Sequence, residues 1–130
     1  MLDLIIKNGL CYIEGKLKKQ DIGIKNSKIS EIGSLNKENS KEIFDAKSLT
    51  VLPGCIDTQV HFREPGSTSA EDLNSGSRAA IVGGITSVFE MPNTNPPTSS
   101  KTEFYNKLKL AKNRMFCNYA FYFGATPNNH

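Results

Sequence analysis

The feature that most restricts this chain is a change of period at Pro53-Gly54. Before it, apolar residues come in short runs broken by turn residues. Leu4-Ile5-Ile6 and Cys11-Tyr12-Ile13 are separated by Asn8-Gly9, and Glu14-Gly15 marks a further turn. Asp21-Ile22-Gly23-Ile24-Lys25 alternates as a half-buried strand does. Asn26-Ser27 then turns the chain into a strand over 28–32, a polar loop covers 33–41, and Ile43-Phe44 is a further short strand. Residues 1–53 therefore read as a small all-β lobe, an antiparallel sheet or β-sandwich.

After Pro53-Gly54 the order is strand, helix, strand, helix, strand. The first strand is expected over 56–61, and an Ala-rich helix over 71–82, ended by Gly83-Gly84. A second strand over 86–91 is stopped by Pro92. Ser100 with Glu103 makes a capping box that opens a helix carrying Phe104, Leu108 and Ala111 on one side. A third strand follows over 118–123. Such alternation implies the α/β class, with parallel strands and right-handed crossovers in an open sheet or a (β/α) barrel. Residues 54–130 are thus expected to form a βαβαβ unit.

The chemically unusual stretches, QVHFREPG, MPNTNPP and GATPNNH, each end one of these strands. That is the C-terminal edge, where such sheets and barrels place active sites. Asp57, Gln59 and His61 share one strand face by alternation. His61 can ligate a metal, act as acid or base, or sit hydrogen-bonded under a loop. Arg63 offers a planar fork for a carboxylate, or an ion pair with its neighbour Glu64. Asn93 is either a turn residue or a polar handle for substrate.

Other functions find little support. The net charge of +3 comes from scattered basic residues, with no stripe interleaved with aromatics for nucleic acid. Cys11, Cys55 and Cys117 are odd in number and lack zinc or disulfide-scaffold spacing. No apolar run approaches the roughly 20 residues of a membrane span, and the N-terminus does not read as a signal peptide, so a cytoplasmic protein is expected. No GxGxxG, GxxxxGK[ST] or GxSxG pattern is present.

Taken together, PGCIDTQVHFREPG, EDLNSGSRAAIVGGITSVFEMPNTNPPT and FYFGAT resemble the dihydroorotases of the amidohydrolase superfamily. MPNT sets the chain apart from allantoinases, and FREPG from hydantoinases. The resemblance implies a (β/α)8 TIM-type barrel, of which this chain would hold the first three strands, preceded by the small β lobe. It implies zinc and the reversible conversion of N-carbamoyl-L-aspartate and dihydroorotate in pyrimidine biosynthesis. Carried over by position, His61 would be a zinc ligand lying beside substrate, and Arg63 and Asn93 would hold the substrate carboxylate. The family pattern has His-x-His where this chain has Gln59-Val60-His61, so a neutral amide takes the place of one zinc-binding imidazole. No catalytic group is expected within residues 1–130; the remaining ligands and the catalytic acid belong to later strands. Alternatives are a non-catalytic scaffold partnering aspartate transcarbamoylase, a related cyclic amidohydrolase, and a homo-oligomer.

Overall fold

The computed structural model describes residues 1–129, and His130, the last residue of the GATPNNH stretch, lies outside them. The chain divides into two compact units, with the boundary between Pro53 and Gly54.

The first unit contains β1 (Leu2–Lys7), β2 (Leu10–Ile13), β3 (Lys16–Lys19), β4 (Asp21–Lys25), β5 (Lys28–Gly33), β6 (Ser40–Asp45) and β7 (Thr50–Val51). They make one sheet in the order β5-β4-β1-β6 and a second in the order β3-β2-β7. Two hairpins are closed by turns with positive φ at both central residues, Glu14-Gly15 and Asn26-Ser27. That geometry matches the twist of the flanking strands. The sheets are mixed and not purely antiparallel: β6 runs parallel to β1, and β7 parallel to β2. A parallel neighbour needs a crossover and not a hairpin, and the polar stretch after β5, with its 3-10 turn Lys37–Asn39, supplies one. Leu2, Ile5, Cys11, Ile22 and Ala46 are buried. Beside them Asp21 is tied to Lys7 Nζ at 2.8 Å and accepts from the Asn8 and Leu35 amides.

The second unit runs β8 (Cys55–Val60), α1 (Leu73–Val82), β9 (Ile85–Glu90), α2 (Lys101–Ala111), β10 (Asn118–Phe121). Its three strands pair in the order β10-β9-β8, all parallel. Helix α1 starts two residues later than the composition suggests because Asp72 is its cap. The Asp72 carboxylate accepts from the Ser75 amide at 2.7 Å, and Ser75 Oγ accepts from the Asp72 amide at 3.1 Å. Ser100 caps α2 by accepting from the Glu103 amide at 3.1 Å. One face of the sheet packs on the helices through Phe62, Leu73, Val88, Ala111 and Cys117. The buried face of α2 is not wholly apolar, since Lys107 is buried beside Ala111. Among the described residues no helix is long and apolar enough to cross a membrane.

Candidate active site

The loops leaving the C-terminal ends of β8, β9 and β10 are bonded to one another. The Met91 amide donates to Val60 O and the Tyr122 amide to Glu90 O, both at 2.9 Å. Further out, the Asn95 amide donates to Pro65 O at 3.1 Å and the Gly124 amide to Thr98 O at 2.8 Å. The first of these outer bonds needs Gly66, whose φ of 120° is rarely open to a side chain and whose Cβ would stand 3.1 Å from Asn95 O.

In β8 the register slips between Asp57 and Val60, a local irregularity of the kind found at functional edges. The Asp57 carboxylate accepts from the Gln59 amide at 2.9 Å within this slip. Beyond it, Val60 and Phe62 pack toward the helices. Gln59 and His61 then fall on the opposite face by alternation. His61 Nδ1 donates to Asn93 Oδ1 at 2.9 Å. His61, Arg63 and Asn93 meet in one cleft of about 120 Å³, closed by Phe62, Pro65, Ser67, Thr94 and Asn95. Gln59 lines a separate, wider depression with Met91, Pro92 and Tyr122. The structure therefore brings together three of the four residues singled out from the sequence and sets Gln59 apart from them.

The alternative partner for Arg63 is not used. Glu64 is buried and turns inward, where it takes a two-pronged bond from Arg114 at 2.7 and 3.0 Å. It also accepts from the Leu73 amide at 2.9 Å, at the first turn of α1. Burial alone would raise the Glu64 carboxyl, but the Arg114 guanidinium and the Leu73 amide outweigh it and hold the carboxyl below its ordinary value. Arg63 is exposed beside it; its carbonyl accepts from the Ser67 amide at 2.8 Å, and its guanidinium makes no hydrogen bond or ion pair among the described residues.

Sequence reasoning missed a second buried charge pair. Glu90 and Lys107 are both almost wholly buried, with Lys107 Nζ 2.5 Å from Glu90 Oε2 and 3.5 Å from Met91 O. Glu90 Oε1 has no partner among the described residues. Burial pushes the Glu90 carboxyl above its ordinary value, against the pull of Lys107 and, more weakly, His61. A sequence signal existed: Lys107 falls at the position between Phe104 and Ala111 that belongs to the apolar stripe of α2.

Zinc is held by about four nitrogen, sulfur or oxygen donors. Among the described residues no three of His, Cys, Asp and Glu stand close enough to share an ion. One imidazole and a neutral amide in a different depression do not by themselves make a zinc site.

The chain as a whole is similar to several known proteins. A dihydroorotase of Methanosarcina acetivorans is 41% identical over 129 residues, which are 98% of this chain and 28% of that protein. An allantoinase of Rubrobacter xylanophilus is 40% identical over 126 residues, 96% of this chain and 28% of that protein. Among solved structures, an L-hydantoinase (dihydropyrimidinase) from Arthrobacter aurescens superposes with a TM-score of 0.87 at 32% identity, covering 99% of this chain and 29% of its own. The chain thus spans under a third of the length of these relatives. The model of the amidohydrolase family matches residues 50–129, and the chain belongs to that family.

Proposed function

We propose that these residues supply the substrate-carboxylate end of a dihydroorotase-type cyclic amide hydrolase, acting in the cytoplasm in pyrimidine biosynthesis. In this reading β8, β9 and β10 open a (β/α)8 barrel, and N-carbamoyl-L-aspartate and dihydroorotate are the interconverted pair. One observation carries it: the free guanidinium of Arg63 shares a small cleft with Asn93 and His61. The rings of hydantoin and allantoin bear no carboxylate, whereas dihydroorotate does. An uncompensated fork fits the anionic ring best. Asn93, with its oxygen turned to His61, presents its amide nitrogen as a second donor. Zinc would draw at most His61 from these residues, and the rest of its ligands from elsewhere in the complete protein.

The test is a comparison of ligands in the complete protein. Dihydroorotate and dihydrouracil share a ring and differ by the carboxylate. Arg63→Ala should weaken dihydroorotate binding about a hundredfold while leaving dihydrouracil nearly unchanged, the loss expected for a two-pronged charged bond. Equal effects on both ligands would remove the carboxylate from the reading.

A second reading, a non-catalytic partner of aspartate transcarbamoylase, is favoured by Gln59, a neutral amide on β8 two residues before the His61 imidazole. Purified complete protein with neither turnover nor dihydroorotate binding, yet in stable complex with the transcarbamoylase, would put it first.

A further inference from the structure

We propose that Lys107 and Arg114 are positioning residues that fix the separation of Arg63 and Asn93, and with it the preference for a ring that carries a carboxylate. The inference rests on the function proposed above. Each arm of the cleft is anchored through a buried carboxylate to the α2 segment. Arg63 stands between Phe62 and Glu64, both buried, so its direction follows from theirs. Glu64 is held by Arg114, which is itself tied to the end of α2 through NH1 to Leu110 O at 3.1 Å. On the other arm, Glu90 ends the central strand just before Met91-Pro92-Asn93. Its side chain is held by Lys107 of α2, and the same ammonium reaches Met91 O and lies 5.4 Å from the centre of the Phe121 ring.

Stability alone gives a poor account of the Glu90–Lys107 pair, in which both side chains are almost wholly buried. Burying two charges costs desolvation that their attraction seldom exceeds, and a neutral apolar pair would serve packing as well. The unpartnered Glu90 Oε1 underlines the point. What a short, directional charge pair provides is geometry. Recognition of a planar carboxylate by a fork and an amide tolerates only a fraction of an ångström of displacement. With both anchors on one stretch of chain, the distance between Arg63 and Asn93 is set by α2 and not by loop flexibility.

The experiment measures dissociation constants of dihydroorotate and dihydrouracil by calorimetry on the complete protein and compares their ratio. Arg114→Lys keeps the charge but loses the fork. Glu90→Gln with Lys107→Met removes both charges, so neither is left buried alone. Each variant is expected to lower the ratio about tenfold, through dihydroorotate, with dihydrouracil binding held within about twofold. Circular dichroism reports folding, and if Arg114→Lys fails to fold, the double variant decides by the same ratio. A folded variant with the wild-type ratio, or with equal losses for both ligands, overturns the inference. If Arg63→Ala abolishes the preference while these variants keep it, the positioning role falls and the proposed function stands. If the wild type shows no preference, both fall together.

Discussion

His61 Nδ1 stands 2.9 Å from Asn93 Oδ1 and links the loops that follow two neighbouring strands. An amide oxygen only accepts, so Nδ1 is a ring nitrogen that carries a proton in this contact. Long-range proton–nitrogen spectra of metal-free protein should show His61 as the Nδ1–H tautomer. Asn93→Ala should reduce that population and lower dihydroorotate affinity about tenfold, as a donor to the carboxylate is lost. An unchanged tautomer would mean that the bond does not govern the ring.

Glu64 links the site to acid stability. Its carboxyl is held below the ordinary 4.5 of a glutamate in the folded chain. A depressed acid stabilises the fold above its ordinary value, and that contribution disappears as pH falls through the folded value. Glu64→Gln should therefore cost about 1–2 kcal/mol near neutral pH, discounted because the Arg114 side chain is about a third exposed. The cost should shrink as the pH falls from neutrality through the folded value. Urea midpoints of both proteins across that range test it, and a constant difference would contradict the linkage.

Gly76 lies on α1 where a Cβ would come within 2.6 Å of two Phe62 ring carbons. Two effects compete in Gly76→Ala. Helix propensity favours alanine by about 1 kcal/mol, while forcing volume into a packed core costs about 1–3 kcal/mol. The buried Phe62 ring is part of the core and cannot swing away, so packing should win by about 1 kcal/mol. Phe62 precedes Arg63, so dihydroorotate affinity should fall with stability. A stabilised variant would show that the ring yields.

Local signals in the sequence were legible, and long-range ones were not. The Ser100 cap, the Gly83-Gly84 stop and the strand over Asp21–Lys25 follow from neighbouring residues, and the structure has each of them, although the burial of that strand does not alternate: Asp21, Ile22 and Gly23 are all buried. β3 escaped because Lys16-Leu17-Lys18-Lys19 shows almost no apolar alternation; its pairing with β2 forms it. The parallel course of β6 beside β1 depends on a crossover whose path no local pattern encodes. In the site, Arg63, Asn93 and His61 were visible by chemistry and position. The partner of Glu64 was not, because Arg114 lies 50 residues away and neither residue announces the other. The slipped register between Asp57 and Val60 interrupts the alternation expected from Asp57 through Gln59 to His61, and no local pattern encodes it.

The buried pair beneath Asn93 predicts unequal mutant costs. Lys107→Met leaves the Glu90 carboxylate without its cation in a fully buried position, which should cost about 3–5 kcal/mol. Adding Glu90→Gln should recover most of that loss, because no charge then remains buried. Thermal unfolding of the two single variants and the double closes the cycle. Additive losses would show that the two side chains do not act as a pair.

The face of the β10-β9-β8 sheet turned away from the helices carries Ile56, Phe89 and Tyr122, which are 61%, 37% and 42% exposed. Phe89 and Tyr122 rest on each other with ring centres 6.0 Å apart. Among the described residues β8 and β10 each have one unpaired edge. Clustered apolar side chains between two open edges invite association, since monomers seldom leave large apolar patches bare. The 130-residue chain produced alone should therefore bind a hydrophobic dye and sediment as a mixture of oligomers. Replacing Ile56 and Phe89 together by lysine should shift it toward monomer without loss of helical signal, because neither side chain belongs to the core on the helix side. If the unaltered chain sediments as a single dye-free monomer, the face is not sticky enough to need a cover.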